Sequence, residues 1–138
     1  MECVEINPAG NFDSWESTKL WELQKKPISD SLGQKLLFEN GNVRVWEVVL
    51  LPNERLPFRK SNADCCWISM TRGLAISRAN NGKITLIRLK KGDTTFWQSE
   101  NDPTIFDLEN IGEQLLLFHI MEFKSVGTES ARFEGNHF

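Results

Sequence analysis

Between residues 34 and 123 the sequence is a succession of short strand-forming runs, each closed by turn residues, and no helical apolar period of comparable strength interrupts it. "QKLLF" (34–38) precedes the Gly-containing turn "ENGN" (39–42), and "VRVWEVVLL" (43–51) is a β-branched run after which Pro52 and Pro57 break the ladder. "DCCWISMTRG" (64–73) and "LAISRA" (74–79) lead to "NNG" (80–82), whose Asn81-Gly82 pair suits the positive φ angles of a tight hairpin; "KITLIRL" (83–89) follows. "KKGD" (90–93) turns the chain into "TTFW" (94–97), a polar loop covers 98–103, and "TIFDL" (104–108) and "EQLLLFHIMEF" (113–123) complete the set. About eight such strands have edges to hide, and closing two sheets over one core hides them. The expected class is all-β, a two-sheet jelly roll.

The two ends differ from this middle. In residues 1–33, "DSWESTKLWELQKK" offers Asp13 or Ser14 as N-cap for one or two helical turns that Pro27 stops. Residues 1–33 are therefore expected to be a short irregular or partly helical arm packing on the barrel or on a partner. Residues 124–138 are expected to be a polar tail with Phe133 and Phe138 as anchors. At 138 residues and 40% hydrophobic content the chain supports a single core. Its 16 Lys and Arg against 19 Asp and Glu create no summed positive field, so nucleic acid and membrane surfaces are disfavoured as partners. The start "MECVEINPAG" is not a basic segment followed by a long apolar run, which points to the cytoplasm. Cys3, Cys65 and Cys66, an odd number in a chain able to fold without staples, suit reduced thiols there.

"PNERLPFRKSNADCCWISMTRG" (52–73) has the frame of a metal-binding signature without its ligands. It resembles the first motif of the cupin superfamily: Gly, five residues, His, one residue, His, three or four residues, Glu, six residues, Gly. Asn53 stands at the first Gly, Arg59 and Ser61 at the two His positions, Cys66 at the Glu after four intervening residues, and Gly73 at the last Gly. The second motif, a Gly-opened turn and then His and Asn with three residues between them, is matched by Gly92, Phe106 and Asn110, three residues longer than usual between Gly92 and Phe106. A rigid count from Gly92 would put Pro103 at the His instead. The resemblance implies a double-stranded β-helix, the cupin-type barrel, over residues 34–123. It also implies pairing into a homodimer through an outer sheet or an exchanged N-terminal strand, to which Trp15, Trp21 and Trp67 would lend apolar surface.

At these ligand positions the chain offers a cation, a hydroxyl, a thiol and a phenyl ring, which do not suit a divalent ion. They suit a small organic anion better: Arg59 gives a planar fork for a carboxylate, Ser61 a hydroxyl and Phe106 an apolar wall. If Cys66 faces inward as the motif's Glu does, period two brings Asp64, Ile68 and Met70 in with it and turns Cys65, Trp67 and Ser69 out. Either Arg44-Trp46-Val48-Leu50 or Val43-Val45-Glu47-Val49 lines the interior, and the first choice makes Trp46 a cavity floor. His119 lies in an apolar strand, where a lone His is more often a core residue than a ligand. The candidate ligand-binding set is thus Arg59, Ser61, Cys66, Phe106, Trp46, Asp64, His119 and Met70, with no metal, cofactor or catalytic residue assigned. The expected function is a metal-free binding module. The alternatives are a metal-dependent oxygenase or isomerase using Asp64, Cys66 and His119, or an interaction protein with a side-chain-filled barrel and a working surface at Trp15, Trp21 or Trp67.

Overall fold

The computed structural model describes residues 1–7, 12–99 and 102–124, and among them ten strands form two antiparallel five-stranded sheets. The strands are β1 (Glu2–Glu5), β2 (Lys35–Glu39), β3 (Val43–Leu50), β4 (Arg55–Ser61) and β5 (Cys65–Ser69), then β6 (Gly73–Arg78), β7 (Ile84–Leu89), β8 (Thr94–Trp97), β9 (Thr104–Asn110) and β10 (Leu116–Phe123). Sheet A has the order β1-β7-β6-β9-β4, and sheet B the order β2-β3-β10-β5-β8. From β3 onward the chain crosses back and forth between the sheets, with only the β6–β7 hairpin staying in one. That winding is the double-stranded β-helix, and the fold class is all-β as expected.

Period-two burial fixes which side chains meet between the sheets. On β3 the inward set contains Trp46, Val48 and Leu50, the first of the two alternatives, and on β10 it contains Leu116, Phe118 and Ile120. Leu56, Ala75, Leu89 and Leu108 answer them from sheet A. The turns carry the frame seen in the sequence. Asn53, at the first Gly of the motif, adopts φ 71°, and Gly92, at the opening Gly of the second, adopts φ 88°. Both are left-handed conformations that Gly takes without strain and Asn tolerates better than most residues.

Two strands were not expected. β4 runs straight through Pro57 because it is the edge strand of sheet A and its pairing with β9 slips between Leu56 and Arg59, so the missing N–H interrupts no required bond. β1 extends the other edge of sheet A by pairing with β7, Glu2 opposite Arg88 and Glu5 opposite Thr85. A turn over residues 70–72 also separates β5 from β6.

In the N-terminal segment, helix α1 (Ser17–Lys25) starts after Glu16 and stops ahead of Pro27; Asp13 and Ser14, the expected caps, lie in a 3-10 turn at Phe12–Ser14. This segment roofs the outer face of sheet A. Trp15 stacks on Phe58 with ring centres 6.0 Å apart, its indole N–H donates to the Gly82 carbonyl at 2.8 Å, and Leu20, Leu23, Ile28, Ile76 and Ile105 close around them. Beside this cluster the fully buried Asp107 accepts from Arg55 at 2.7 Å and Arg78 at 2.8 Å, and Arg55 also reaches Glu22 of α1 at 2.6 Å. An ion chain therefore ties the helix to β4, β6 and β9. Among the described residues no helix is long and apolar enough to cross a membrane. The expected tail anchors Phe133 and Phe138 lie outside the described residues.

Candidate ligand cavity

The space between the sheets is not completely filled. A cavity of about 270 Å³ remains, and its walls come from both sheets. Sheet B contributes Cys65, Trp67 and Ser69 from β5, Thr95 and Trp97 from β8 and Phe118 from β10; sheet A contributes Thr104, Phe106 and Leu108 from β9, with Ile87 and Leu89 from β7. The Trp67 ring meets Phe106 edge-on at 5.7 Å and Phe118 edge-on at 5.6 Å, an arrangement that aligns positive ring edges with negative faces. Several wall hydroxyls are already engaged: Ser69 donates to the Thr71 carbonyl at 2.5 Å and Ser77 to the Asp107 carbonyl at 2.6 Å. The wall is accordingly apolar in character. Asp93 also reaches it, with its carboxyl held below the usual range by the Lys90 backbone N–H and by the Met1 ammonium 3.0 Å away.

The face of β5 is the reverse of the expected one. Cys65, Trp67 and Ser69 point inward, whereas Cys66 and Ile68 sit on the outer face of sheet B, where Cys66 pairs across to Met121 and Phe96. The cause is the length of the β4–β5 connection. Ser61 is buried and faces in, and the next inward position on β5 follows after three residues, the shorter of the two spacings that the cupin motif allows. The thiol at the Glu position is therefore that of Cys65. Residues 64–70 carry apolar side chains on both faces, so their pattern alone gives no sign of which side is interior.

Arg59 and Ser61 lie on β4 directly across from Phe106 and Thr104, both cavity residues, and so they share the inner face. Arg59 is partly buried, its Nε is shut off from solvent without a hydrogen-bond partner, and burial lowers its pKa. The Ser61 hydroxyl donates to the Ala63 carbonyl at 3.2 Å. Phe106, rather than Pro103, takes the place of the second motif's His. Asn110, at the motif's Asn, is fully buried and structural: its amide donates to the Leu50 and Gln114 carbonyls at 2.9 and 2.8 Å.

The other candidates lie elsewhere. Trp46 faces inward but belongs to the packed core, its indole donating to Glu122 at 2.9 Å. Asp64 sits in the β4–β5 connection and accepts from the Ser99 backbone at 2.7 Å. His119 lies on the outer face of sheet B, its Nε2 3.2 Å from a Glu47 carboxylate oxygen. Met70 is exposed in the turn after β5. The cavity residues that the sequence reading passed over are Cys65, Trp67, Trp97 and Phe118.

The set at the ligand positions of the fold, Arg59, Ser61, Cys65 and Phe106, does not fit a divalent ion. Burial pushes the Cys65 thiol up to about 11, so at neutral pH it is a protonated, poor donor. Among the described residues no three His, Cys, Asp or Glu side chains converge as a metal site.

Solved structures share this architecture at low identity. A cupin domain from Bordetella pertussis Tohama I superposes with a TM-score of 0.59 at 19% identity, over 66% of this chain and 91% of that one. A double-stranded β-helix protein from Klebsiella pneumoniae gives 0.54 at 17%, over 68% and 77%, and an RmlC-like cupin protein from Methanocaldococcus jannaschii gives 0.53 at 18%, over 64% and 76%. No protein-family model and no curated protein sequence matches the chain. The protein has the cupin fold, with an altered site at the positions where that fold's signature carries its metal ligands.

Proposed function

We propose that the protein is a binding module whose cavity takes a small organic anion with a ring-sized apolar body and a carboxylate held by Arg59. The observation that carries this reading is an aromatic-walled cavity of about 270 Å³ whose wall residue Phe106 pairs across strands with Arg59, a partly buried guanidinium whose Nε has no hydrogen-bond partner. An apolar cavity of ~150 Å³ holds benzene, so this one has room for a substituted ring. A carboxylate would supply the acceptor that Arg59 lacks, by a charge-assisted bond in a site shielded from water. The open volume favours binding over a filled barrel. The protonated Cys65 and the phenyl group of Phe106 weigh against the metalloenzyme. Three unpaired cysteines suit the reducing cytoplasm in which we place it.

Thermal melting with benzoate, cyclohexanecarboxylate and the neutral benzamide tests the reading, with Trp67 and Trp97 as fluorescence reporters in the wall. The carboxylates are expected to raise the melting temperature and perturb the emission, benzamide much less, and Arg59→Gln is expected to abolish the difference. Equal responses to benzoate and benzamide, or an unchanged benzoate response in Arg59→Gln, would rule out the anion clamp.

A further inference from the structure

Met1 is 46% exposed and yet stands in the cavity wall beside Asp93 and Thr95, so it sits at the rim of the space. Its ammonium lies 3.0 Å from an Asp93 carboxylate oxygen, and its Sδ accepts from the Thr95 hydroxyl at 3.6 Å. These contacts join the sheets across the rim, sheet A through the start of β1 and sheet B through β8 and the turn leading into it. The rest of β1 has little packing to hold it. Glu2, Cys3, Val4 and Glu5 are all exposed, and the strand depends on its ladder with β7 and on two exposed ion pairs, Glu5 with Lys83 at 3.1 Å and Glu2 with Arg88 at 3.8 Å. Exposed pairs of this kind add little. An edge strand without buried apolar contacts belongs to the part of a fold that opens at lowest cost. The far end is fixed differently. Asn7 accepts from the Ile84 N–H at 2.5 Å and donates to the Gly82 carbonyl at 2.8 Å and to the Ser14 hydroxyl at 3.0 Å, while the Ile6 N–H donates to the Ile84 carbonyl at 2.8 Å.

We propose that Met1 and β1 form a strap over the cavity mouth, hinged at Asn7 and latched by Met1 on Asp93, which opens at the latch to let a molecule enter or leave. The inference rests on the reading of the cavity as a ligand site and adds how that site is reached. Met1 is both a wall of the cavity and the point of the strap furthest from its anchor. Releasing one ion pair and the first rungs of the ladder, Glu2 with Arg88 and Cys3 with Ile87, therefore removes a wall residue while the remainder of sheet A stays paired. A strap that closes alike over the empty and the filled cavity has no differential affinity for the two states, so it sets the rates of entry and exit together and leaves the equilibrium nearly unchanged.

Exchange of fluorobenzene with the full chain, followed by fluorine NMR, tests the strap, because this probe needs the cavity and not Arg59. Asp93→Asn removes the latch charge while keeping a side-chain oxygen for the Lys90 N–H, which Asp93 accepts at 2.8 Å. It is expected to speed both entry and exit at least about threefold, the scale of one partly exposed ion pair, and to change the dissociation constant by less than about twofold. Arg88→Glu, at an exposed position, sets like charge opposite Glu2 near the latch and is expected to act in the same direction, so it carries the test if Asp93→Asn does not fold. Lys83→Gln removes the Glu5 pair beside the anchor and is expected to leave both rates as in the wild type. Unchanged rates in Asp93→Asn and Arg88→Glu overturn the strap, as does an equal acceleration by Lys83→Gln, which would mean that β1 leaves as a whole. Fluorobenzene that does not bind overturns it together with the cavity as a ligand site. Fluorobenzene that exchanges faster in the latch variants, in a protein whose melting is indifferent to benzoate, upholds the strap and overturns only the anion clamp.

Discussion

Cys65 and Cys66 are neighbours in sequence and opposite in environment, because consecutive strand residues point to opposite faces. Cys65 is 2% exposed in the cavity wall, and burial, reinforced by the carboxylates of Glu122 and Asp64, moves its pKa from an ordinary 9.0 to about 11. Below pH 9 the thiol is neutral in the folded and unfolded chains alike and contributes nothing to pH dependence. Between pH 9 and 11 the unfolded chain releases this proton and the folded chain retains it, so stability falls as pH rises through that window. At ~1.4 kcal/mol per pKa unit the loss reaches roughly 2 kcal/mol, and Cys65→Ala is expected to remove it. Denaturant titrations at pH 8 and pH 11 measure both limbs; an equal alkaline loss in the variant would contradict the assignment. Arg59, across the strands from the cavity residue Phe106, is shifted in the opposite direction: partial burial lowers its pKa.

At the scale of elements, the N-terminal segment and the sheets meet at Gly33, just ahead of β2. A Cβ placed there would lie 2.7 Å from the Cβ of Trp46 and 2.9 Å from the Glu47 carbonyl oxygen, atoms fixed by the β3 ladder. Gly33→Ala is expected to destabilise by about 1–3 kcal/mol, as overpacking against backbone does, and a urea midpoint indistinguishable from wild type would show that the junction yields. The elements also differ in how far their sequence announced them. Strands such as β3 and β10 were legible from residue type, although which face of β3 turns inward was left open, and the winding followed from the number of strand runs and from the motif frame. β1 was not: "ECVE" is half charged and exposed along its length, and its existence depends on the free edge of β7. β4 was masked by Pro57, since a proline forbids a central strand and permits an edge strand, and which of these applies is decided by distant residues. The same holds for the site. Arg59, Ser61 and Phe106 followed from the motif frame, whereas Cys65 in place of Cys66 depended on a one-residue choice in the connection before β5.

Taken whole, the molecule is two sheets with three unlike surfaces: an outer face sealed by its own helix, an apolar outer face left open, and an inner space that packing does not fill. The positions that match the ligand positions of the cupin signature carry a guanidinium and a hydroxyl on β4, a protonated thiol on β5 and a phenyl ring on β9. A dication entering the inner space would be opposed by the like charge of Arg59, and apart from the Asp93 carboxylate, already paired with the Met1 ammonium, it would find only weak hydroxyl and sulfur donors to offset the loss of its water. The purified protein is therefore expected to carry no stoichiometric iron, zinc, manganese or nickel. A metal bound only by the folded state at a hundred times its dissociation constant adds ~2.7 kcal/mol, and its removal would lower the melting temperature by roughly 10 °C. Chelator is expected to leave the melting temperature unchanged. Elemental analysis near one equivalent, together with a chelator-induced drop of that size, would mean that side chains now apart on the outer face and connections, Asp64 and His119 among them, can be brought to a common ion.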